Sequence, residues 1–334
     1  MDESPESEDL PAVSIVELAD PTMAGQGFEL VAQDAVQLQS SPLHARRVIV
    51  RLGDANVVFH SSNVRVRTRS AAQNGLLSYV TFSPNTTGTV NGLAVRPDLL
   101  LAVEPNAEAS FVTDVGWKSI SFLLRPEYIG AHLSARRRED EFRMPCGVET
   151  LQADAVMVRR LFEWGSRLVD AAVSEPASFN DCADRRAAAQ VELVEILLAT
   201  LRHAAGRRLD RKELAKQEQS RVVKIAEEFA LSHLDERLYV SDLCKVTGLS
   251  ERSLEYAFKE TLGLAPVAYL ARLRLHRVRD ALQSGTLGTR SITTVALGWG
   301  FWHSGEFSRA YKECFGELPS QTRRRHRLEQ TRQV

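Results

Sequence analysis

The polar side chains best placed to meet a partner fall in two groups in the last third of the chain. Arg252, Glu255, Tyr256 and Lys259 sit in a segment where Leu254 and Phe258 take the inward i, i+4 positions of a helix, which leaves those four on its other faces. Ser304, Gly305, Glu306, Ser308 and Arg309 stand in the same relation to Phe307 and Tyr311. Guanidinium, carboxylate, phenol and hydroxyl groups on a helix surface can match the donors and acceptors of base edges and phosphates. Covalent or metal chemistry has much less to work with. No GxSxG elbow, Walker loop or GxGxxG turn is present. His44, His60 and His132 are isolated, without the His-x-His and later Glu and His of a metal-binding barrel, so neither metal nor cofactor is expected.

The elements that would position these groups can be read from caps and glycines. Ser241 is expected to cap a helix through about Val246, Gly248 to turn the chain, and Ser250 to cap a second helix, Glu251 to about Thr261, that Gly263 closes. The pattern recurs downstream. Ser291 caps a helix through Leu297, with Ile292, Val295 and Ala296 on its apolar side. Gly298 and Gly300 flank Trp299 at the turn, with Phe301 beneath, and a helix from about Ser304 to Cys314 ends at Gly316 before Pro319. A short helix, a tight turn and a second helix is the geometry that presents the second helix to a major groove. Pro266 opens a helix to about Gln283, with Leu270, Leu273 and Val278 inward and Arg272, Arg274, Arg277 and Arg279 spread around it. Such a rod is about 25 Å long. It can hold two recognition helices roughly 34 Å apart, one DNA turn.

Charge is distributed unevenly. Residues 220–334 carry 18 Lys/Arg against 13 Asp/Glu, a net of +5, whereas residues 1–219 carry 24 against 30, a net of -6. A basic end on an acidic body suggests a polyanion for that end only. At 334 residues the chain suits two domains, and with 44% hydrophobic and 25% charged residues it has an ordinary globular composition. No apolar run is long enough to span a membrane, and the acidic start MDESPESEDL lacks the pattern of a secretory signal, so a cytoplasmic protein without a membrane partner is expected. Four scattered cysteines without a CxxC pair suit buried thiols in a reducing compartment.

Three motifs together, LSERSLEYAF (249–258), GLAPVAYLARLRL (263–275) and VALGWGFWHSGEFSRAYKECFGELPS (295–320), resemble the AraC/XylS family of bacterial regulators in order and spacing over about 100 residues. The resemblance implies a sequence-specific regulator, read as an activator, that binds double-stranded promoter DNA and contacts RNA polymerase. It places base and phosphate contacts at Arg252, Glu255 and Tyr256, and at Ser304, Gly305, Glu306, Ser308 and Arg309. The family often has an arginine where Tyr256 stands. A guanidinium grips guanine O6/N7 bidentately, which Tyr256 cannot do, whereas Glu255 can accept from cytosine N4–H. Arg309 is the strongest single candidate. Arg323, Arg324 and Arg325 could touch phosphate or be solvated.

Residues 1–10 read as a disordered tail, 11–205 as a sensor or dimerisation domain, 206–220 as an exposed linker that could be helical, and 221–330 as the DNA-binding domain. Short β-rich runs from about Ile15 to Phe142 predict an antiparallel barrel or sandwich. The resemblance favours a cupin-like β-barrel, so the fold class is α+β, with an all-α C-terminal domain. Helices over 151–172 and 187–204 would cover the barrel or pair subunits into a homodimer, with Ser174 to Phe179 as a turn between them. Trp117 and Phe122 would fill the barrel or line a pocket for a small-molecule effector, and His60 would sit at a surface or rim. Two other readings differ in kind. A barrel enzyme tethered by its tail would turn over a metabolite, and an architectural DNA protein would bind random and promoter DNA equally.

Overall fold

The computed structural model describes residues 10–25, 28–233, 238–284 and 290–325. The expected tail therefore lies outside the described residues except for Leu10. Strands are β1 Val13–Leu18, β2 Val31–Gln37, β3 Ala45–Arg51, β4 Ala55–Ser62, β5 Val66–Ala72, β6 Leu77–Phe82, β7 Gly88–Val90, β8 Leu93–Ala94, β9 Leu99–Val103, β10 Glu108–Thr113, β11 Trp117–Leu124, β12 Val148–Gln152 and β13 Ala205–Gly206. Helices are α1 Pro126–Ser134, α2 Ala155–Ser174, α3 Ala177–Asn180, α4 Ala183–Leu201, α5 Arg211–Ser232, α6 Val240–Thr247, α7 Glu251–Leu262, α8 Pro266–Gln283, α9 Ile292–Gly298 and α10 Ser304–Phe315.

The strands do not close into one barrel. They form two antiparallel sheets, ordered β1-β3-β4-β11-β6-β9-β12-β13 and β2-β5-β10-β7-β8. Alternation along the strands explains the layering. On β6, Tyr79 faces α2 and α4 together with Phe122, Leu161, Trp164 and Leu193, while Val80 faces the second sheet together with Phe111 and Trp117. All six residues of β6 are buried, as expected for a strand covered on both faces. Phe122 is therefore core, packed 6.4 Å from Trp164, and Trp117 lies between the sheets. Leu151, expected on a helix, lies on β12, and the helix begins at Ala155, capped by Asp154. The expected turn from Ser174 to Phe179 overlaps the short α3, which runs on to Asn180. Pro126 starts α1 inside the stretch read as strands.

The C-terminal helices lie on the outer face of the second sheet. Val36, Leu38 and Val112 join Val223, Leu254 and Phe258 in one core. The stretch read as a linker is the first part of α5, opened by an Asp210–Glu213 capping box. Where α5 crosses the β7–β8 hairpin, Gly92 has φ +82, and a Cβ there would lie 2.4 Å from the Lys216 carbonyl oxygen.

One face of α8 is pinned almost once per turn, first to α5 and then at four points to the N-terminal half. Tyr269 Oη donates to Glu227, which also accepts from Arg67 of β5 at 3.0 Å. Arg272 donates to the Gln37 carbonyl at 3.1 Å, and His276 Nε2 accepts from the Gln37 amide at 3.1 Å. Arg279 and Gln283 both donate to Asp20, which precedes the 3-10 turn Pro21–Met23. The spacing 269, 272, 276, 279, 283 is a helix stripe. Arg279, one of the four arginines expected to be spread around the helix, is buried within the stripe, paired with Asp20 and with Glu317 at 2.9 Å.

Of the four thiols, Cys314 is buried and Cys244 half-buried, but Cys146 and Cys182 are exposed, contrary to the expectation of burial. No described helix is long and apolar enough to cross a membrane.

Candidate nucleic-acid interface

Each of the two short helix pairs forms around a small apolar core and a left-handed glycine. Gly248, at φ 70, ends α6 and turns the chain into α7. The Ser250 side chain accepts from the Ser253 amide, and Gly263 closes α7. The start of α6 differs from expectation. The cap position is Tyr239, whose amide donates to Asp242 Oδ2 at 3.1 Å, and Ser241 lies inside the helix. In the second pair Ser291 caps α9 by accepting from Thr294 N at 3.0 Å, Gly300 takes φ +82 in the turn, and Gly316 closes α10.

Burial separates the inward from the outward residues as the i, i+4 pattern predicts. Leu254, Phe258, Phe307 and Tyr311 are 0%, 1%, 3% and 0% exposed. Arg252, Tyr256, Lys259, Ser304, Gly305, Glu306 and Arg309 are exposed, and Glu255 and Ser308 half-buried. Neither recognition helix is hidden against the rest of the molecule.

Electrostatics divide the candidates further. Lys259 Nζ lies 2.8 Å from Glu255 Oε1, so these two engage each other across one helical turn. Arg252 and Arg309 make no ion pair among the described residues. Arg325 is bound bidentately by Glu317 at 2.9 Å, which removes it from the set of free cations at the C-terminal end. Sequence reasoning missed Trp302, which is 66% exposed just before α10. Its neighbour Phe301 is half-buried, and no periodicity over two residues separates them.

Elsewhere the isolated histidines have local roles. His132 Nε2 lies 2.7 Å from Glu195, which also holds Arg138. His60 lines the space between the sheets instead of a rim. No group of three or more His, Cys, Asp or Glu that could hold a metal ion occurs among the described residues.

Comparison with known proteins places this geometry. A family model described as "Helix-turn-helix domain" matches residues 243–325. The chain is 37% identical over 108 residues to the XylDLEGF operon transcriptional activator 2 of Pseudomonas putida, which covers 32% of this chain and 66% of that protein. It is 32% identical over 100 residues to the probable thc operon regulatory protein of Rhodococcus erythropolis, 30% of each. The chain thus spans less than two thirds of these curated relatives. Among solved structures, it is similar to a Chromobacterium violaceum transcriptional regulator with an AraC-type DNA-binding domain, at 30% identity over 33% of this chain and 95% of that one, with a TM-score of 0.30. With two capped, glycine-closed helix pairs in the region that these relatives share, residues 243–325 form a DNA-binding helix-turn-helix domain of the AraC/XylS type.

Proposed function

We propose that the chain is a sequence-specific, DNA-binding transcription regulator, an activator in kind, that inserts α7 and α10 into adjacent major grooves of promoter DNA. The observation that carries this reading is the exposure of both recognition helices at the two ends of one uninterrupted helix. With 18 residues, α8 is about 27 Å long. That length suits heads about one DNA turn apart. In this reading Arg252, Glu255, Tyr256 and Lys259 read the first groove, and Ser304, Gly305, Glu306, Ser308 and Arg309 the second.

The domain division follows the same logic: an N-terminal sensing or dimerisation unit to about residue 205, a junction over 206–220 within which α5 begins, and the DNA-binding unit beyond. The two facing sheets serve as an open counterpart of a cupin-like barrel able to enclose a small-molecule effector. The reading extends, by resemblance to the family, to a homodimer formed through α2 and α4, contact with RNA polymerase and a cytoplasmic location. Footprinting the purified chain on DNA upstream of its own coding region tests the core of it. Two protected grooves about one turn apart are expected, whereas equal affinity for random DNA at fixed salt would favour the architectural alternative.

A further inference from the structure

Between the two sheets lies a cavity of about 80 Å³, with Arg47, His60, Val80, Phe111 and Trp117 among its walls. Arg47 projects into this space from β3 and is 1% exposed. Its Nη2 donates to the Ala24 carbonyl at 2.8 Å and to Gln33 Oε1, and the guanidinium lies 3.9 Å from the centre of the Phe28 ring. Its Nη1 has no hydrogen-bond partner, and no carboxylate pairs with it among the described residues. The contrast with the molecule's other buried arginines is direct, since Arg67 has Glu227 and Arg279 has both Asp20 and Glu317.

A buried cation without a counter-charge is costly, and the cost is removed when an anion with matching geometry enters. A planar carboxylate meets the guanidinium fork. His60, on the same wall, is held uncharged by burial and by the Arg47 charge, with its pKa lowered to about 3. It can therefore share a neutral hydrogen bond but contributes no second cation. A single fixed charge and a largely apolar wall favour a monoanion over a phosphate ester. The volume limits the body of the ligand: about 80 Å³ is roughly half of the ~150 Å³ cavity that takes benzene.

We propose that this inter-sheet cavity binds a short-chain monocarboxylate, anchored by Arg47 through its free Nη1. The proposal takes its purpose, an effector for the regulator, from the preceding section, but its chemistry rests on Arg47 alone.

Calorimetric titration of the full chain with acetate, propionate, butyrate and valerate, each beside its amide and beside inorganic phosphate, tests it. One acid is expected to bind saturably and at least tenfold tighter than its amide or phosphate. Ser121→Leu, which fills the cavity and leaves Arg47 in place, and Arg47→Gln should each weaken that binding at least tenfold. The acid–amide contrast on the unaltered chain decides the matter even if a variant does not fold. Absence of acid binding, equal binding of amide or phosphate, or a folded Arg47→Gln chain with unchanged affinity overturns the proposal. Footprinting the same preparation without acid separates the two readings: a protected operator with no acid binding sinks the carboxylate site alone.

Discussion

The two helix-turn-helix units are built alike and charged differently. Each closes its recognition helix with a left-handed glycine and buries an aromatic pair or triad beneath it, Phe258 with Tyr269 in the first and Phe307, Tyr311 and Phe315 in the second. Each is fastened to the N-terminal half by one buried ion cluster, Arg67–Glu227 for the first and Asp20–Arg279–Glu317 for the second. On the DNA side the likeness ends. The first unit neutralises its own Lys259 with Glu255, whereas the second presents Arg309 without a partner among the described residues. Packing thus repeats because a helix pair has few ways to bury its apolar stripe. Surface charge is free to diverge, and there the two heads differ in what they can grip.

The largest test of this comparison concerns the fastenings. Glu227→Ala leaves Arg67 buried at 1% exposure with no carboxylate at hydrogen-bond range and should cost about 3–5 kcal/mol of stability in urea denaturation. Asp20→Ala should cost less, because Arg279 keeps Glu317 at 2.9 Å. Equal losses would show that the two clusters are not ranked by their remaining partners.

Acid acts next, through His276 at the second fastening. Burial lowers its pKa to about 3; Asp20 opposes that, and Arg279, Arg272 and Arg277 add to it. Because the folded value lies below the unfolded 6.5, the unfolded chain takes up the proton first. Stability is then full above pH 6.5 and falls by about 1.4 kcal/mol per pH unit below it for this group. His60 adds a like slope, so His276→Gln should remove only its own share in denaturation series from pH 7 to 4. An unchanged slope in that variant would mean that the ring is not held neutral at the Gln37 amide. The Asp20 carboxyl is pushed up by burial but pulled down further by Arg279 and Thr22, so its contribution is lost only as pH falls below about 3.8.

Smaller effects belong to the DNA face. Arg309→Ala should weaken binding to the cognate site by roughly 1–3 kcal/mol in titrations at fixed salt, and an unchanged affinity would remove α10 from the groove. Glu255→Gln frees Lys259 and should tighten binding by about 0.3–0.5 kcal/mol, with a steeper salt dependence. A loss instead would mean that Glu255 itself touches a base.

The helical third was readable because its signals are local. Pro266 and Gln283 bound α8 where the pattern placed them, and Ser250, Ser291, Gly263 and Gly316 mark ends that caps and φ dictate. The N-terminal half was readable only as strands. β2 and β5 give weak strand signals because their runs VAQDAVQ and VRTRSAA carry charges, and it takes a partner from another element to make the Arg67 of β5 acceptable in the interior. Arg67 is satisfied by Glu227, 160 positions away, and Arg279 by Asp20, 259 positions away. No spacing rule spans such distances. The same is true of Arg47, whose importance lies in what fails to face it. Leu151 was misassigned because one apolar residue fits either period.

The stripe of contacts along α8 has a consequence for the DNA. A helix held at Tyr269, Arg272, His276, Arg279 and Gln283 cannot bend or slide without breaking bonds to α5, β2 or the Asp20 segment. It therefore works as a calliper with fixed jaws. One base pair inserted between the two half-sites rotates the second by about 34° around the duplex. In the proposed reading the jaws cannot follow that rotation, and the operator's internal spacing is dictated by β2 and the Asp20 segment.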